Sequence, residues 1–237
     1  MPNQLYETGR CAMRLYTRLL LNTDIQHHSA MPHGAKIIAP NHPTTLDPFL
    51  IPAFHHERIH ILVTESAFKV PLFGAYLRAV GHVEVVAREG GRAFEVARQL
   101  LVADKTVVIF PEGTLSPLDG GYAKVHTGVV RLSLLTGAPI IPVGIAVQPE
   151  RIRFIHTGII DQNGQEEIAR TYLRAPYGVT IGSPMTVSGD IEDRVLVRQL
   201  SDGLMQQIMR LSQQSAYRIG TMQPLLNVYD TAELPSV

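Results

Sequence analysis

In Lys36-Ile37-Ile38-Ala39-Pro40-Asn41-His42-Pro43-Thr44-Thr45-Leu46-Asp47 an apolar run stops, a polar loop follows, and Pro48 opens a helical pattern. Strand, loop and helix in that order make a βα unit, the building block of an α/β fold. His42 and Asp47 stand five positions apart in the loop, so a base and a carboxylate able to orient it become available at one strand end. α/β sheets place ligand sites at such ends. The spacing is not unique, because it recurs at His156 and Asp161. His156, however, lies inside an apolar strand-like run rather than after one. Asp47 followed by Pro48 also reads as an N-cap with a first-turn proline, so spacing alone leaves two roles for this carboxylate.

Outward from this loop, β-branched apolar runs alternate with helical patterns. Strands are expected at Lys36–Pro40, Ile59–Glu65, His82–Arg88, Lys105–Phe110, Ile140–Val147, Arg153–Ile160 and Val179–Ile181. Helices are expected at Pro48–Phe54, Pro71–Val80, Arg92–Ala103, Gly128–Thr136, Glu166–Arg174 and Ile191–Ser212. In the last, Val197, Leu200, Leu204, Ile208 and Leu211 keep one apolar face, and Asp190 is placed to cap its start. The alternation predicts an α/β layer, a mostly parallel mixed sheet flanked by helices. Residues 5–21 predict a further helix with Arg10, Arg14 and Arg18 on one face beside Leu15, Tyr16 and Leu19. Such a stripe suits an anionic leaflet, each cation near the surface being worth about 1 kcal/mol. It equally suits a surface helix packed on the domain. The expected organisation is an N-terminal amphipathic helix within residues 1–30, one domain over 31–215, and a tail over 216–237.

A second loop, Phe110-Pro111-Glu112-Gly113-Thr114, follows the strand-like run Thr106–Phe110 and should emerge at the same sheet edge. Pro111 has no N–H to donate and ends the ladder. Gly113 allows backbone to approach a ligand closely. Glu112 suits either a salt bridge or a contact to a polyhydroxyl substrate.

At 237 residues and 45% apolar content the chain is long enough for one well-buried domain. Its formal net charge is zero, which argues against nucleic acid as a partner. A single cysteine, Cys11, leaves no internal disulfide and fits a reducing compartment. No apolar run approaches the roughly 18 to 20 residues needed to span a bilayer. The N-terminal residues carry no apolar core of secretory type. The expectation is a cytoplasmic protein, at most peripheral on the cytoplasmic face of a membrane.

Four segments in order carry a family resemblance. Asn41-His42-Pro43-Thr44-Thr45-Leu46-Asp47 resembles the Asn-His-x4-Asp motif of the glycerolipid acyltransferases related to 1-acylglycerol-3-phosphate acyltransferase. Phe110-Pro111-Glu112-Gly113-Thr114 resembles their Phe-Pro-Glu-Gly-Thr motif. Gly81–Arg88 resembles the segment ending in an acceptor-holding arginine, and Ala138-Pro139-Ile140-Ile141-Pro142-Val143 resembles the apolar fourth motif. The match in order and spacing covers roughly residues 36–147. The resemblance implies a glycerol-3-phosphate acyltransferase-like fold and transfer of a fatty acyl group from acyl-CoA or acyl carrier protein to the hydroxyl of a lysophospholipid or related acceptor. It implies a catalytic pair, His42 with Asp47, and acceptor contacts from Arg88, Glu112, Gly113, Thr114 and Lys124. No bound cofactor or metal is expected, the acyl thioester being a co-substrate, and a membrane surface is expected as a partner.

The residues agree chemically. An imidazole near neutral pH can take the proton of an attacking alcohol, typically worth roughly 10²- to 10⁴-fold. A carboxylate on its far nitrogen fixes the tautomer and stabilises the imidazolium. The departures concern the acceptor. Leu115 stands where the family usually has an arginine after Glu-Gly-Thr, and His126 where it usually has a lysine, with Lys124 two residues away. Leucine cannot replace a bidentate arginine at a phosphate. Arg88 remains, and Arg131 is available if its helix faces the site. These departures point to a different lysolipid, or another hydroxylated amphiphile, as acceptor.

Two other functions compete. His56-Glu57-Arg58-Ile59-His60 spells a zinc-hydrolase motif, which needs His56 and His60 on one helical face. The run into Ile59, Ile61 and Val63 puts His60 in a strand instead. A lipid- or acyl-binding module that kept the fold and lost catalysis is the other alternative.

Overall fold

The computed structural model describes residues 2–87, 89–160 and 166–221. The strand expected before the His42 loop is present with the expected bounds, β2 (Lys36–Pro40). Its side chains alternate: Ile38 packs in one buried cluster, Ile37 and Ala39 in another on the opposite face. A strand buried on both sides reads as a continuous apolar run, which is why this segment was legible.

The other elements are α1 (Pro2–Leu20), β1 (Leu21–His27), α2 (Asp47–Phe54), β3 (Ile59–Thr64), α3 (Glu65–Lys69), α4 (Phe73–Ala79), β4 (Val83–Val85), α5 (Gly90–Val102), β5 (Thr106–Val108), α6 (Gly128–Thr136), β6 (Ile140–Ala146), β7 (Ile152–Ile160), β8 (Glu166–Tyr172), β9 (Ala175–Ile181) and α7 (Arg194–Arg218). Seven strands form one sheet in the order β1-β9-β6-β2-β5-β3-β4. Its pairings are parallel except β6 with β9. The fold is therefore α/β with a mostly parallel mixed sheet, as the alternation predicted. Ile38, Ile59, Ile61, Val108, Ile141 and Val143 meet Tyr6, Leu50, Ile51 and Leu77 of α1, α2 and α4 on one face. Ile37, Val107 and Ile140 meet Ala97, Val129, Leu132, Leu204 and Ile208 of α5, α6 and α7 on the other. Helices on both faces complete three layers.

Several expectations are corrected. Glu166–Arg174, read as a helix, is β8 and pairs antiparallel with β7 as a separate two-stranded hairpin. Its Glu, Ala and Arg favour a helix intrinsically, but pairing with a partner strand overrides that preference. The N-terminal helix stops at Leu20, and Leu21–His27 forms an edge strand against β9. The last helix begins three residues later than expected and runs on to Arg218; Asp193, not Asp190, accepts from the backbone N–H groups of Val195 and Leu196. Two cations of the expected basic stripe are engaged by the fold, Arg10 half-buried and Arg14 still exposed. Arg10 donates to the carbonyls of His56 and, more weakly, His55, and Arg14 to that of Ala53. They hold α1 against the C-terminal end of α2, where the helix dipole favours positive charge. Among the described residues no helix is long and apolar enough to cross a membrane.

Candidate active site

β2 and β5 are parallel neighbours with Ile38 opposite Val108. His42 and Glu112 each stand four residues beyond that pair, so both loops leave the sheet at its C-terminal edge, side by side. Asn41 anchors the first loop. Its side-chain amide donates to the Ile145 carbonyl at 2.9 Å and its oxygen accepts from the Ile145 N–H at 2.7 Å, like an extra rung between β2 and β6.

His42 Nδ1 lies 3.1 Å from Asp47 Oδ2. Asp47 is fully buried, and the His42 side chain keeps 16% of its surface. The carboxylate does not cap α2 as an N-cap residue would. It is the first helical residue and reaches back to accept from the Thr44 N–H and hydroxyl, each at 2.6 Å, fastening the loop to the start of the helix. Tyr177 on β9 supplies a further donor at 2.8 Å. Burial and the neighbouring Asp47 charge push the Tyr177 hydroxyl well above the usual phenol range, so it stays a donor. Four donors thus converge on one carboxylate, and the Phe110 ring lies 4.2 Å from the imidazole centre. With Nδ1 turned to Asp47, Nε2 is the ring atom left for a reacting proton.

Glu112 joins this group through Ser116. The Ser116 hydroxyl accepts from the His42 N–H at 2.8 Å and donates to Glu112 Oε1, while Oε2 accepts from the Ala123 N–H at 2.8 Å. The carboxyl is buried, so in this structure it braces the two loops. Gly113 adopts φ +63°, and a Cβ there would meet the His126 ring at 3.1 Å. Gly113, Thr114, Lys124 and His126 are exposed at the same edge. Arg88 lies outside the described residues.

One nearby cation was not foreseen. Arg170, on β8, pairs its backbone with Thr45 and donates from Nη1 to the carbonyls of Ser116 and Pro43 at 2.5 and 3.4 Å. No sequence signal linked it to the loop, because the segment around it reads as helix.

A cavity of about 400 Å3 opens between α1, α2 and α4. Thr45 and Leu46, from the His42–Asp47 loop, line it together with Met13, Phe49, Phe73 and Tyr76, and its wall is almost wholly apolar.

The Acyltransferase family model matches residues 22–146, more than half of the sequence and both loops that carry His42, Asp47 and Glu112. The chain belongs to the Acyltransferase family. As an acyltransferase it is similar in fold to the 1-acyl-sn-glycerophosphate (LPA) acyltransferase PlsC from Thermotoga maritima, at 20% identity and a TM-score of 0.59, over 90% of this chain and 78% of that one. No curated protein matches it.

The rival zinc motif does not assemble. α2 ends at Phe54, residues 55–58 are an irregular, bent segment, and His60 lies in β3 with Nδ1 on the Gly81 carbonyl at 2.7 Å. Glu57 is committed to Lys36 and His33. The second His-x4-Asp pair is also diverted: His156 contacts Glu166 at 2.9 Å, and Asp161 lies outside the described residues.

Proposed function

We propose that this acyltransferase moves a fatty acyl group from acyl-CoA or acyl carrier protein to a hydroxyl of a glycerolipid-type acceptor, a lysophospholipid or a related amphiphile, with His42 as general base and Asp47 as its orienting carboxylate. The observation that carries the reading is the His42–Asp47 contact, made by a carboxylate that three further donors hold beside an apolar cavity. In this reading His42 Nε2 takes the proton of the acceptor hydroxyl as its oxygen attacks the thioester carbonyl. The C–S bond then breaks, and the imidazolium returns the proton to the leaving thiolate. Asp47 stabilises the imidazolium between those events. The apolar cavity suits the acyl chain, whose burial is favoured by about 25 cal/mol per Å2.

The attacking oxygen belongs to the acceptor, so no enzyme nucleophile is required. The Ser116 hydroxyl, which contacts the His42 backbone, is already engaged with Glu112 and the His42 N–H. The acceptor and its acylated product partition into membranes, and the exposed leucines Leu15 and Leu19 on α1 and Leu72 before α4 favour peripheral attachment.

The test is an acceptor screen with a labelled acyl thioester, including lysophosphatidate and phosphate-free lysolipids. His42→Ala is expected to fold normally and to lose acyl transfer by at least about 10²-fold. Turnover like the wild type in that variant ends the assignment.

A further inference from the structure

We propose that Arg170, on the β7–β8 hairpin, is the residue that receives the anionic headgroup of the acceptor, in place of the loop cations that Leu115 and His126 do not supply. The inference rests on the acyl-transfer reading above and names the acceptor class for it: a lysolipid with a phosphate ester.

Arg170 is held as a ligand-binding group would be. Its Nη1 donates to the Ser116 and Pro43 carbonyls, one from each of the loops that carry Glu112 and His42. Its backbone N–H donates to Thr45 Oγ1 at 2.9 Å and its carbonyl accepts from the Thr45 N–H at 3.1 Å. Position and rotamer are therefore set before any ligand arrives, which removes much of the ordering cost of recognition.

The guanidinium is charged but unmatched. Among the described residues it forms no salt bridge within 4.0 Å; its partners are carbonyl oxygens. Burial lowers its pKa, with the charges of Asp47 and Glu112 opposing that shift from a distance. Partial desolvation without a paired anion is costly, and a ligand anion offsets it. Nε and Nη2 make no hydrogen bond to a described residue and are not sealed from solvent. That edge of a guanidinium is the two-donor fork that fits phosphate oxygens side-on.

Placement decides the role. Ser116 binds the His42 N–H, and Thr45 lies between His42 and Asp47, so Arg170 contacts both sides of the catalytic loop. A phosphate on its fork sits within reach of an ester-bearing backbone whose free hydroxyl meets His42. The sequence lost two loop cations, and the hairpin restores one.

The experiment uses the full chain and the thioester that the wild type turns over, with lysophosphatidate and monoacylglycerol of matched acyl chain in the same micelles. Arg170→Gln is expected to lower the preference for lysophosphatidate over monoacylglycerol, as the ratio of kcat/KM values, by about 10- to 100-fold, chiefly through KM for lysophosphatidate. Arg170→Lys keeps the charge without the fork and should fall between; melting curves establish that both variants fold. Equal losses on both acceptors, which a purely structural clasp would give, overturn the proposal, as does an unchanged ratio. A wild-type chain that acylates neither acceptor overturns the functional reading beneath it, a failure seen before any variant is compared.

Discussion

Tyr177 donates its phenolic proton to Oδ1 of Asp47 at 2.8 Å, linking the last strand of the sheet to the loop that holds His42 across 130 positions of chain. The hydroxyl is sealed in the core and has no water to turn to. Tyr177→Phe removes a donor from a buried carboxylate, a bond class worth about 1.5–3 kcal/mol. A loss of about 2 kcal/mol lowers the melting midpoint of a chain this size by about 4–8 °C. Activity should fall further than Tm explains, because Asp47 then keeps only Thr44 and His42 as partners. Calorimetry beside turnover at a temperature where both proteins are folded checks this; unchanged kcat would show that Thr44 alone positions the carboxylate.

Glu112 makes a sharper case, because only acceptor atoms fit where its oxygens lie. Oε1 receives the Ser116 hydroxyl and Oε2 the Ala123 N–H. Glu112→Gln places an NH2 group against one of these donors. One buried group loses its partner, at a cost of about 1–3 kcal/mol. Ser116→Ala should cost a similar amount, and the double variant less than the sum, since the two residues share one bond. Denaturant midpoints for the three proteins measure this; strict additivity would dissolve the bridge.

How much of this was legible in the sequence depends on where each residue's partners lie. β2 and β6 are buried on both faces, so Ile37-Ile38-Ala39 and Ile140-Ile141 announce themselves as continuous apolar runs. The edge strand β1 reads Leu-Asn-Thr-Asp-Ile-Gln-His, mostly exposed, and carries no such pattern. β8 begins Glu-Glu-Ile-Ala-Arg, a helical composition that only its pairing with β7 overrides. His42, Asp47 and Glu112 were legible because they sit in short loops just after strands. Ser116, Arg170 and Tyr177 were not: each acquires its role from a contact 54 to 130 positions away or through a backbone atom, which leaves no local trace.

The buried Lys36 predicts an acid sensitivity remote from the site. Its ammonium is fully buried against Glu57, which also contacts His33. Burial alone would raise the Glu57 pKa; hydrogen bonds from Lys36 and His33 outweigh it and hold the carboxyl at about 2. A carboxyl whose folded pKa lies below its unfolded value of 4.5 contributes stability that is complete above about pH 4.5 and is lost as pH falls through about 2. Glu57→Gln should be less stable at neutral pH, because Lys36 is left buried without its counter-charge. The gap from wild type should close as pH drops through that window. Urea midpoints from pH 6 downward test it; a constant gap would assign the stabilisation elsewhere.

Leu72 joins strain to exposure. Its φ is +61°, in a tight turn where the Phe73 N–H donates to the Pro71 carbonyl at 2.6 Å, and 89% of its surface is open. A leucine in this region costs of order 1–3 kcal/mol, and no buried contact offsets it. Its neighbour Phe73 lines the apolar cavity, so the turn that holds Leu72 adjoins the space proposed for the acyl chain. Leu72→Gly should hold or raise stability, because glycine adopts φ > 0 freely although it gains entropy in the unfolded chain. Binding to anionic phospholipid vesicles should weaken by about tenfold, the equivalent of one leucine not inserted. Co-sedimentation beside thermal melting separates the two effects: weaker vesicle binding with an unchanged or higher Tm supports a leucine held out for the leaflet, and undiminished binding removes Leu72 from the membrane contact.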